Sequence, residues 1–150
     1  MKIFLKKEML DKSLIKNLNI IKNENGDVLH GLKKTDDEFN GFGEVYFSTV
    51  YKGSIKPWKR HLSATLNLIV IVGKVRFVLI EEVDSNLKIS EFTISNPDNY
   101  CRLTIPSDTW FAFQGIEENN IIMSVSSLIH DPNEIERRDL SSFDYDWSKN

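Results

Sequence analysis

Seven short segments rich in apolar residues fill the middle of the chain and constrain its fold more than any other feature. They cover residues 43–51, 66–72, 74–82, 87–94, 100–105, 109–114 and 120–128. Turn-forming clusters such as Asp84-Ser85-Asn86 and Pro106-Ser107-Asp108 separate them. Many short strands at regular spacing predict an all-β fold, a jelly-roll β-barrel.

Helical signals are confined to the two ends. Asp131 and Pro132 predict a capped short helix that runs through Arg138, and a second short helix is expected around 7–17. The aromatic segment that follows predicts a packed terminus with Phe143 and Trp147 buried. No repeat or linker divides the chain, so one domain over residues 1–150 is expected.

Charge and cysteine content narrow the class of protein. The net charge is −3, which argues against a nucleic-acid partner. Cys101 is the only cysteine, so the chain forms no internal disulfide and suits a reducing compartment. Lys and Glu interrupt every apolar run of the first 21 residues, which favours neither a secretion signal nor a membrane span. We therefore expect a cytoplasmic protein with no membrane partner.

The stretch from Lys59 to Val72 suggests a binding site. Read as one strand, its even positions from Leu62 onward are all apolar, whereas its odd positions run from Lys59 and His61 through Thr65 and Asn67 to Ile69. Asn is rare in strands, and a buried amide needs partners. This row predicts the wall of a pocket with a polar mouth and an apolar floor.

The same stretch resembles a known family. The pattern G-x5-K-x-H-x5-N-L-I-V-x-V-G-K-V, from Gly53 to Val75, is similar to the core of the cupin-fold dTDP-sugar epimerases and ketoisomerases. The segments LTIPSDTWFAFQGI (103–116) and SSLIHDPNEIERRDLSSFDYDW (126–147) extend the resemblance, which covers a core of about 26–147. It implies a cupin domain, a nucleotide-sugar substrate and a homodimer. The implied activity is epimerisation or keto-isomerisation of a dTDP-type 4-keto-deoxysugar for surface polysaccharide synthesis.

Three positions depart from the family pattern. Lys59 and His61 stand where the ketoisomerases carry a His-x-His pair, and Lys56 stands where both groups tend to have Arg. The acid tyrosine of the epimerases would fall near Met123 or Ser124. The resemblance therefore implies the setting of the reaction without selecting one of the two reactions.

Enolisation of a keto-sugar needs a base beside the carbonyl and a positive or donor group at its oxygen. We assign the base to His61, since an unperturbed imidazole titrates near neutral pH, and the electrostatic or acid role to Lys59. The candidate substrate-binding residues are Lys56, Tyr46, Thr65, Asn67, Arg76, Arg102 and Trp110. In this hypothesis Tyr46 exchanges a proton, Trp110 stacks on a ring, and the two arginines hold the diphosphate.

Three other classes of function compete with this one. A metal-dependent cupin would need ligand histidines, but the second motif offers Trp110 and Phe111 there, so neither a metal nor another cofactor is expected. A nucleic-acid module built on residues 51–61 conflicts with the acidic balance. A nucleotide-sugar-binding cupin without catalysis stays open, because Lys59 replaces a histidine and the acid tyrosine is missing from its usual position.

Overall fold

A computed structural model describes residues 14–149, and antiparallel strands dominate it. The strands are β1 (Ile15–Asn17), β2 (Ile20–Ile21), β3 (Val28–Leu29), β4 (Glu44–Thr49), β5 (Ile55–His61), β6 (Leu66–Val83), β7 (Asn86–Asn96), β8 (Cys101–Ile105), β9 (Trp110–Gly115), β10 (Ile121–Ser126) and β11 (Ile135–Arg137). Two 3-10 turns, Pro132–Glu134 and Leu140–Ser142, complete the C-terminal region. The all-β prediction is confirmed.

The long strand β6 belongs to two sheets. Its first part pairs with β8 and β10, and these continue to β1 and β4, which gives a first sheet in the order β1-β8-β6-β10-β4. Its second part pairs with β7 and β9, which gives a second sheet in the order β7-β6-β9-β5-β11. The short β2–β3 hairpin stands apart from both.

Gly73 marks the point where β6 passes from the first sheet to the second. Its φ is +87°, and a Cβ there would lie 2.2 Å from the carbonyl oxygen of Asn119. Only glycine combines this backbone angle with so close an approach. The sequence predicted two strands that end and begin at this residue; the structure joins them into one continuous strand.

The main core lies between the two sheets. Leu66, Leu68 and Val70 of the first sheet belong to the same buried cluster as Phe77 and Phe111 of the second. The even-numbered apolar residues in the first part of β6 therefore face the core. A second cluster covers the outer face of the second sheet.

The C-terminal segment forms this second cluster. Phe143 lies against Trp58 and Trp110, with ring centroids 5.1 and 6.0 Å away, and the indole N–H of Trp58 donates to the carbonyl of Leu140 at 3.1 Å. Phe143 is buried and Trp147 is partly buried against the same cluster, as the sequence predicted. The segment thus fixes β11 beside β5.

Both predicted terminal helices need correction. The turn capped by Asp131 ends at Glu134, and residues 135–137 continue as β11, because their backbone pairs with residues 59–61 of β5. Residues 15–17 form β1 rather than the end of a helix, while the rest of the helix expected around 7–17 lies outside the described residues. Within residues 14–149 no helix has the length and apolar character to cross a membrane.

Candidate active site

A cavity opens between the two sheets where β4 and β10 face β5 and β11. It encloses about 220 Å³ and adjoins a cleft of about 740 Å³, with Lys59 and Arg137 lining both. The cavity is lined by Glu44, Tyr46, Lys59, His61, Ser126, Leu128, Ile129, His130, Glu134, Ile135 and Arg137. Polar side chains from four strands therefore converge on one space.

His61 and Glu134 form the buried polar centre of this cavity. The Nδ1 atom of His61 lies 2.9 Å from Oε2 of Glu134, and both side chains are largely shielded from solvent, at 7% and 12% exposed. The other carboxylate oxygen of Glu134 accepts the backbone N–H groups of Ser63 at 2.8 Å and Ala64 at 2.6 Å. Three hydrogen bonds thus fix the carboxylate, and the carboxylate fixes the imidazole.

The environment keeps Glu134 ionised. Burial raises the pKa of its carboxyl, but the hydrogen bonds from Ala64, Ser63 and His61 outweigh burial and hold the pKa below its ordinary value. Because an ionised carboxylate only accepts hydrogen bonds, Nδ1 of His61 donates to it, and Nε2 carries the lone pair. Nε2 is buried and has no hydrogen-bond partner among the described residues. His61 is therefore arranged as a base.

Lys59 lies two residues before His61 on the same face of β5 and lines the same cavity. Burial lowers the pKa of its amine, and the positive charges of Arg137 and Lys56 lower it further. Arg137 is its direct neighbour in the β5–β11 pairing. The position therefore holds an amine that gives up its proton more readily than an ordinary lysine.

Tyr46 approaches the cavity from β4 on the opposite sheet. Burial raises the pKa of its hydroxyl, and the carboxylates of Glu44 and Glu134 raise it further. The phenol therefore stays protonated at neutral pH and can donate a proton into the cavity.

Lys56 lines the adjoining cleft together with Arg137 and Arg138, so this cleft is positively charged.

The similarity to known proteins is visible at the level of three-dimensional structure. No protein-family model matches the sequence, and no curated protein sequence matches it. A dTDP sugar isomerase from Desulfovibrio desulfuricans G20 is 30% identical to this chain, with a TM-score of 0.84 over 91% of this chain and 90% of that chain. This chain belongs to the dTDP-sugar isomerase family.

Two more distant structures share the fold of the family. A sugar 3,4-ketoisomerase from Thermoanaerobacterium thermosaccharolyticum, in complex with TDP, is 22% identical with a TM-score of 0.66, over 83% of this chain and 86% of that chain. A dTDP-6-deoxy-D-glucose-3,5-epimerase from Legionella pneumophila, in complex with dTDP-4-keto-L-rhamnose, is 14% identical with a TM-score of 0.74, over 91% and 77%. The predicted cupin-like fold is confirmed.

The acid tyrosine of the epimerases is missing from its expected position, but another tyrosine lies beside that position in space. Ser124 stands near the position where the sequence comparison expected that tyrosine, and the register of β10 and β4 places Tyr46 directly opposite Ser124. Residues paired in this way on an antiparallel sheet share a face. A phenol therefore reaches this part of the cavity from the adjacent strand.

Thr65, Asn67 and Arg102 do not lie in the cavity. The chain turns between His61 and Leu66, so the odd-numbered residues in the first part of β6 face outward although Lys59 and His61 of β5 face inward. Asn67 donates to the carbonyl of Glu38 at 3.2 Å and accepts from Thr104 at 2.7 Å. The hydroxyl of Thr65 accepts from Asn40 at 3.1 Å. The predicted pocket wall is therefore wrong for this part of the row, whose polar groups hold residues 38–40 on the outer face of the first sheet.

Arg102 is fully buried on that same outer face. Its guanidinium donates to the carbonyl of Gly31 at 2.8 Å and forms ion pairs with Asp36 at 2.9 Å and Glu38 at 3.0 Å. With both terminal nitrogens engaged, it has no access to a diphosphate. The predicted diphosphate contact of Arg102 is corrected to a structural role.

Arg76 and Trp110 lie on the outer face of the second sheet. Arg76 donates to the carbonyls of Lys149 and Trp147 and to Oε1 of Gln114. Trp110 is 1% exposed, with the guanidinium groups of Arg60 and Arg138 at 4.7 and 4.4 Å from its ring. Both residues attach the C-terminal segment to the sheet, so their predicted contacts with a substrate are corrected as well.

Sequence reasoning missed Glu134 and Arg137. Both lie in the segment that was predicted as a helix, where Glu134 counted only as an acidic first-turn residue. Recognising residues 135–137 as a strand paired with β5 would have placed Glu134 beside His61 and Arg137 beside Lys59. Only the pairing reveals this, since more than seventy positions separate the partners in the chain.

The described residues also bear on metal binding. Within residues 14–149 no group of three or more His, Cys, Asp or Glu side chains is placed to hold a metal ion.

Of the residues proposed from the sequence, the structure brings Lys59, His61 and Tyr46 together in the cavity, with Lys56 at the cleft beside them.

Proposed function

We propose that this protein epimerises or keto-isomerises a dTDP-type 4-keto-deoxysugar by removing a proton from a carbon next to the ketone. The observation that carries the proposal is the buried His61–Glu134 pair: Nε2 of His61 has no hydrogen-bond partner among the described residues, and His61 lines a cavity with Lys59 and Tyr46. The similarity to a dTDP sugar isomerase supports the same class of substrate. The cleft has the size of small-molecule sites, which span roughly 300–1,000 Å³.

Each residue has a defined task in this reaction. Nε2 of His61 accepts the proton from the carbon, and Glu134 stabilises the imidazolium that forms. The nitrogen of Lys59 stabilises the negative charge that develops on the ketone oxygen. Tyr46 returns a proton to the enolate from the side of β4. Lys56 and Arg137 contact the diphosphate at the cleft, a role to which their charges are suited.

The experiment is proton NMR of dTDP-4-keto-6-deoxyglucose with the purified protein in D2O. We expect the signal of a ring proton beside the ketone to disappear in the presence of the protein and to persist with His61→Ala. The position of the lost signal identifies the carbon that reacts. With Tyr46→Phe, we expect product formation to slow more than proton loss, since the phenol acts after the base.

Two negative results have different meanings. A ligand that binds without proton exchange would favour the alternative of a nucleotide-sugar-binding protein without catalysis. Absence of both exchange and binding would reject this substrate class for the protein. The binding-only alternative has less support, because it gives no reason for a buried imidazole with an ionised partner and a free nitrogen in the cavity.

The homodimer is also a proposal, supported by the outer face of β4. Val45 and Phe47 are 45% and 61% exposed there, and β4 is an edge strand among the described residues. Light scattering of the wild type and of Phe47→Asp tests it, since a monomeric wild type would reject it.

The proposal also includes a cytoplasmic location and a role in surface polysaccharide synthesis. The single cysteine, Cys101, is a buried free thiol, which suits a reducing compartment.

A further inference from the structure

We propose that Lys59 forms a covalent imine with the ketone of the substrate and so acts as a nucleophilic catalyst. The inference rests on the proposed function, because it needs a keto-sugar in the cavity, but it goes beyond an electrostatic role for Lys59. The alternative is a protonated lysine that only attracts the enolate oxygen.

The first observation is that Lys59 has no partner for a positive charge. Among residues 14–149 it forms neither a hydrogen bond nor an ion pair. Four lysines nearer the surface do pair with carboxylates: Lys16 with Asp36, Lys22 with Asp27, Lys74 with Glu117 and Lys149 with Glu91. A partly buried lysine without a counter-ion is destabilised as a cation, so this amine loses its proton more readily than that of an ordinary lysine.

The second observation is the charge of its neighbours. Burial, then Arg137 and Lys56, lower the pKa of the Lys59 amine. A lysine beside other cations in a desolvated pocket is one of the ways in which proteins obtain an amine nucleophile near neutral pH. The carboxylates that line the cavity, Glu44 and Glu134, lie beyond ion-pair distance of the Lys59 nitrogen.

The third observation is the position of the base. Lys59 and His61 are two residues apart on one strand face, which separates their Cα atoms by roughly 6.6 Å at the usual strand rise. A lysine side chain is long and flexible, so its nitrogen can meet the ketone carbon while Nε2 of His61 meets a proton on the adjacent carbon. The two groups can therefore act on neighbouring atoms of one sugar ring.

The chemical steps balance without any further reagent. The lone pair of the Lys59 nitrogen attacks the ketone carbon, and the carbonyl oxygen takes up a proton. Loss of that oxygen as water gives a protonated imine. His61 then removes the proton from the neighbouring carbon, and the electron pair moves into the carbon–nitrogen system to form an enamine. Reprotonation of that same carbon on its other face, with Tyr46 as donor, re-forms the protonated imine, and addition of water to the imine carbon releases the epimerised sugar and restores the free amine. Protonation of the nitrogen-bearing carbon instead would leave a stable carbon–nitrogen single bond, so the imine route serves epimerisation and not keto-isomerisation.

The test is reductive trapping. We treat the protein with dTDP-4-keto-6-deoxyglucose and sodium cyanoborohydride, measure the intact mass, and map the modified peptide. The expected adduct adds the mass of the substrate less one oxygen atom, and it lies on Lys59. Lys59→Arg keeps the positive charge but cannot form an imine; we expect it to lose the adduct and to slow exchange in D2O by about 100-fold or more. Lys52→Arg, at an exposed lysine that lines neither the cavity nor the cleft, is the matched variant and should still give an adduct on Lys59.

Each outcome decides the question. Exchange without an adduct, or an adduct confined to other lysines, would overturn the imine and leave the proposed function standing. Exchange by Lys59→Arg within about 10-fold of the wild type would overturn it in the same way. An adduct on Lys59 without exchange would support the imine but contradict the isomerase function. Absence of adduct and of exchange together would reject both proposals.

Discussion

The cavity and the outer faces of the two sheets bury charged or polar groups in opposite ways. On the outer faces, both terminal nitrogens of Arg102 and of Arg76 have acceptors, although other buried atoms there, such as Nε1 of Trp110, lack partners among the described residues. In the cavity, Nε2 of His61 has no hydrogen-bond partner and Lys59 has no counter-ion. Because His61 and Lys59 line a cavity, a ligand bound there can supply the missing partners.

This comparison separates two uses of a buried cation. Arg102 holds residues 31–38 on the first sheet, and Arg76 holds the C-terminal segment on the second. Removing such a group affects stability. Removing a side chain of the cavity mainly affects the rate of the reaction, because its unpartnered polar atom contributes little to the stability of the fold. The predictions below test this division in order of expected effect.

The largest effect is expected for His61→Ala. Loss of the base should reduce the rate of proton exchange by about 10²–10⁴-fold. The thermal midpoint should fall as well, because the substitution removes the buried ring and its hydrogen bond to Glu134, so exchange is compared per folded molecule. NMR exchange and thermal unfolding measure the two quantities. His30→Ala, outside the cavity, is the matched control and should retain the wild-type rate; unchanged exchange in His61→Ala would remove His61 from the mechanism.

Arg102→Met should have the opposite effect. Breaking a buried ion pair by removing one partner costs about 3–5 kcal/mol, and the partial exposure of Glu38 favours the lower end. Chemical denaturation measures this loss. Exchange per folded molecule should stay at the wild-type value, because Arg102 does not reach the cavity. A stable variant with lost activity would mean that the arginine does contact substrate.

Glu134→Gln should lower activity through its effect on His61, without removing a group that contacts the substrate. Glutamine removes the negative charge that stabilises the imidazolium and sets the tautomer of His61, so kcat should fall by about 100-fold while KM stays nearly constant. Steady-state kinetics separates the two constants. Glu136→Gln on the same segment, where the carboxylate pairs with Arg60 at 2.8 Å, is the control and should leave kcat unchanged. A rise in KM without a fall in kcat would assign Glu134 to substrate binding instead.

The smallest effect concerns stability at acid pH. The pKa of Glu134 is lower in the folded protein than its ordinary value of 4.5. Its contribution to stability is therefore complete above that value and is lost as the pH falls through the folded pKa. Urea unfolding at several values between about pH 6 and pH 3 should show a steeper loss for the wild type than for Glu134→Gln. Equal slopes would mean that the carboxylate is not stabilised by its hydrogen bonds.

Much of the fold follows from local patterns. The alternation of apolar residues and the turn clusters predicted β4, both parts of β6 and β7 to β10, whereas β5 is absent from the predicted segments and β6 is one strand rather than two. The pattern from Gly53 to Val75 indicated the family. Lys59, His61 and Tyr46 were found from the sequence because two of them lie in that pattern and the third alternates on a strand beside it. These features depend on residues that are close together in the chain, so they can be predicted without a structure.

The identity of the remaining site residues depended on what packs against what. The sequence prediction applied one alternation of faces from Lys59 to Val72, as if β5 and β6 were a single strand. The chain turns at residues 62–65, and the inward face changes there from odd to even positions. His61 therefore faces inward, whereas Asn67 faces outward. Arg76 and Arg102 were proposed for a diphosphate because a sequence does not reveal that Trp147 and Asp36 fold back to meet them.

Sequence by itself thus determined most of the strands and the family, and it selected His61 as the candidate base. Tertiary structure decided which charges are neutralised and which stay free in the cavity, since pairings such as His61 with Glu134 join distant parts of the chain. Local alternation fixes the face of a side chain relative to its own strand. Only the packing of the two sheets fixes which face is the inside.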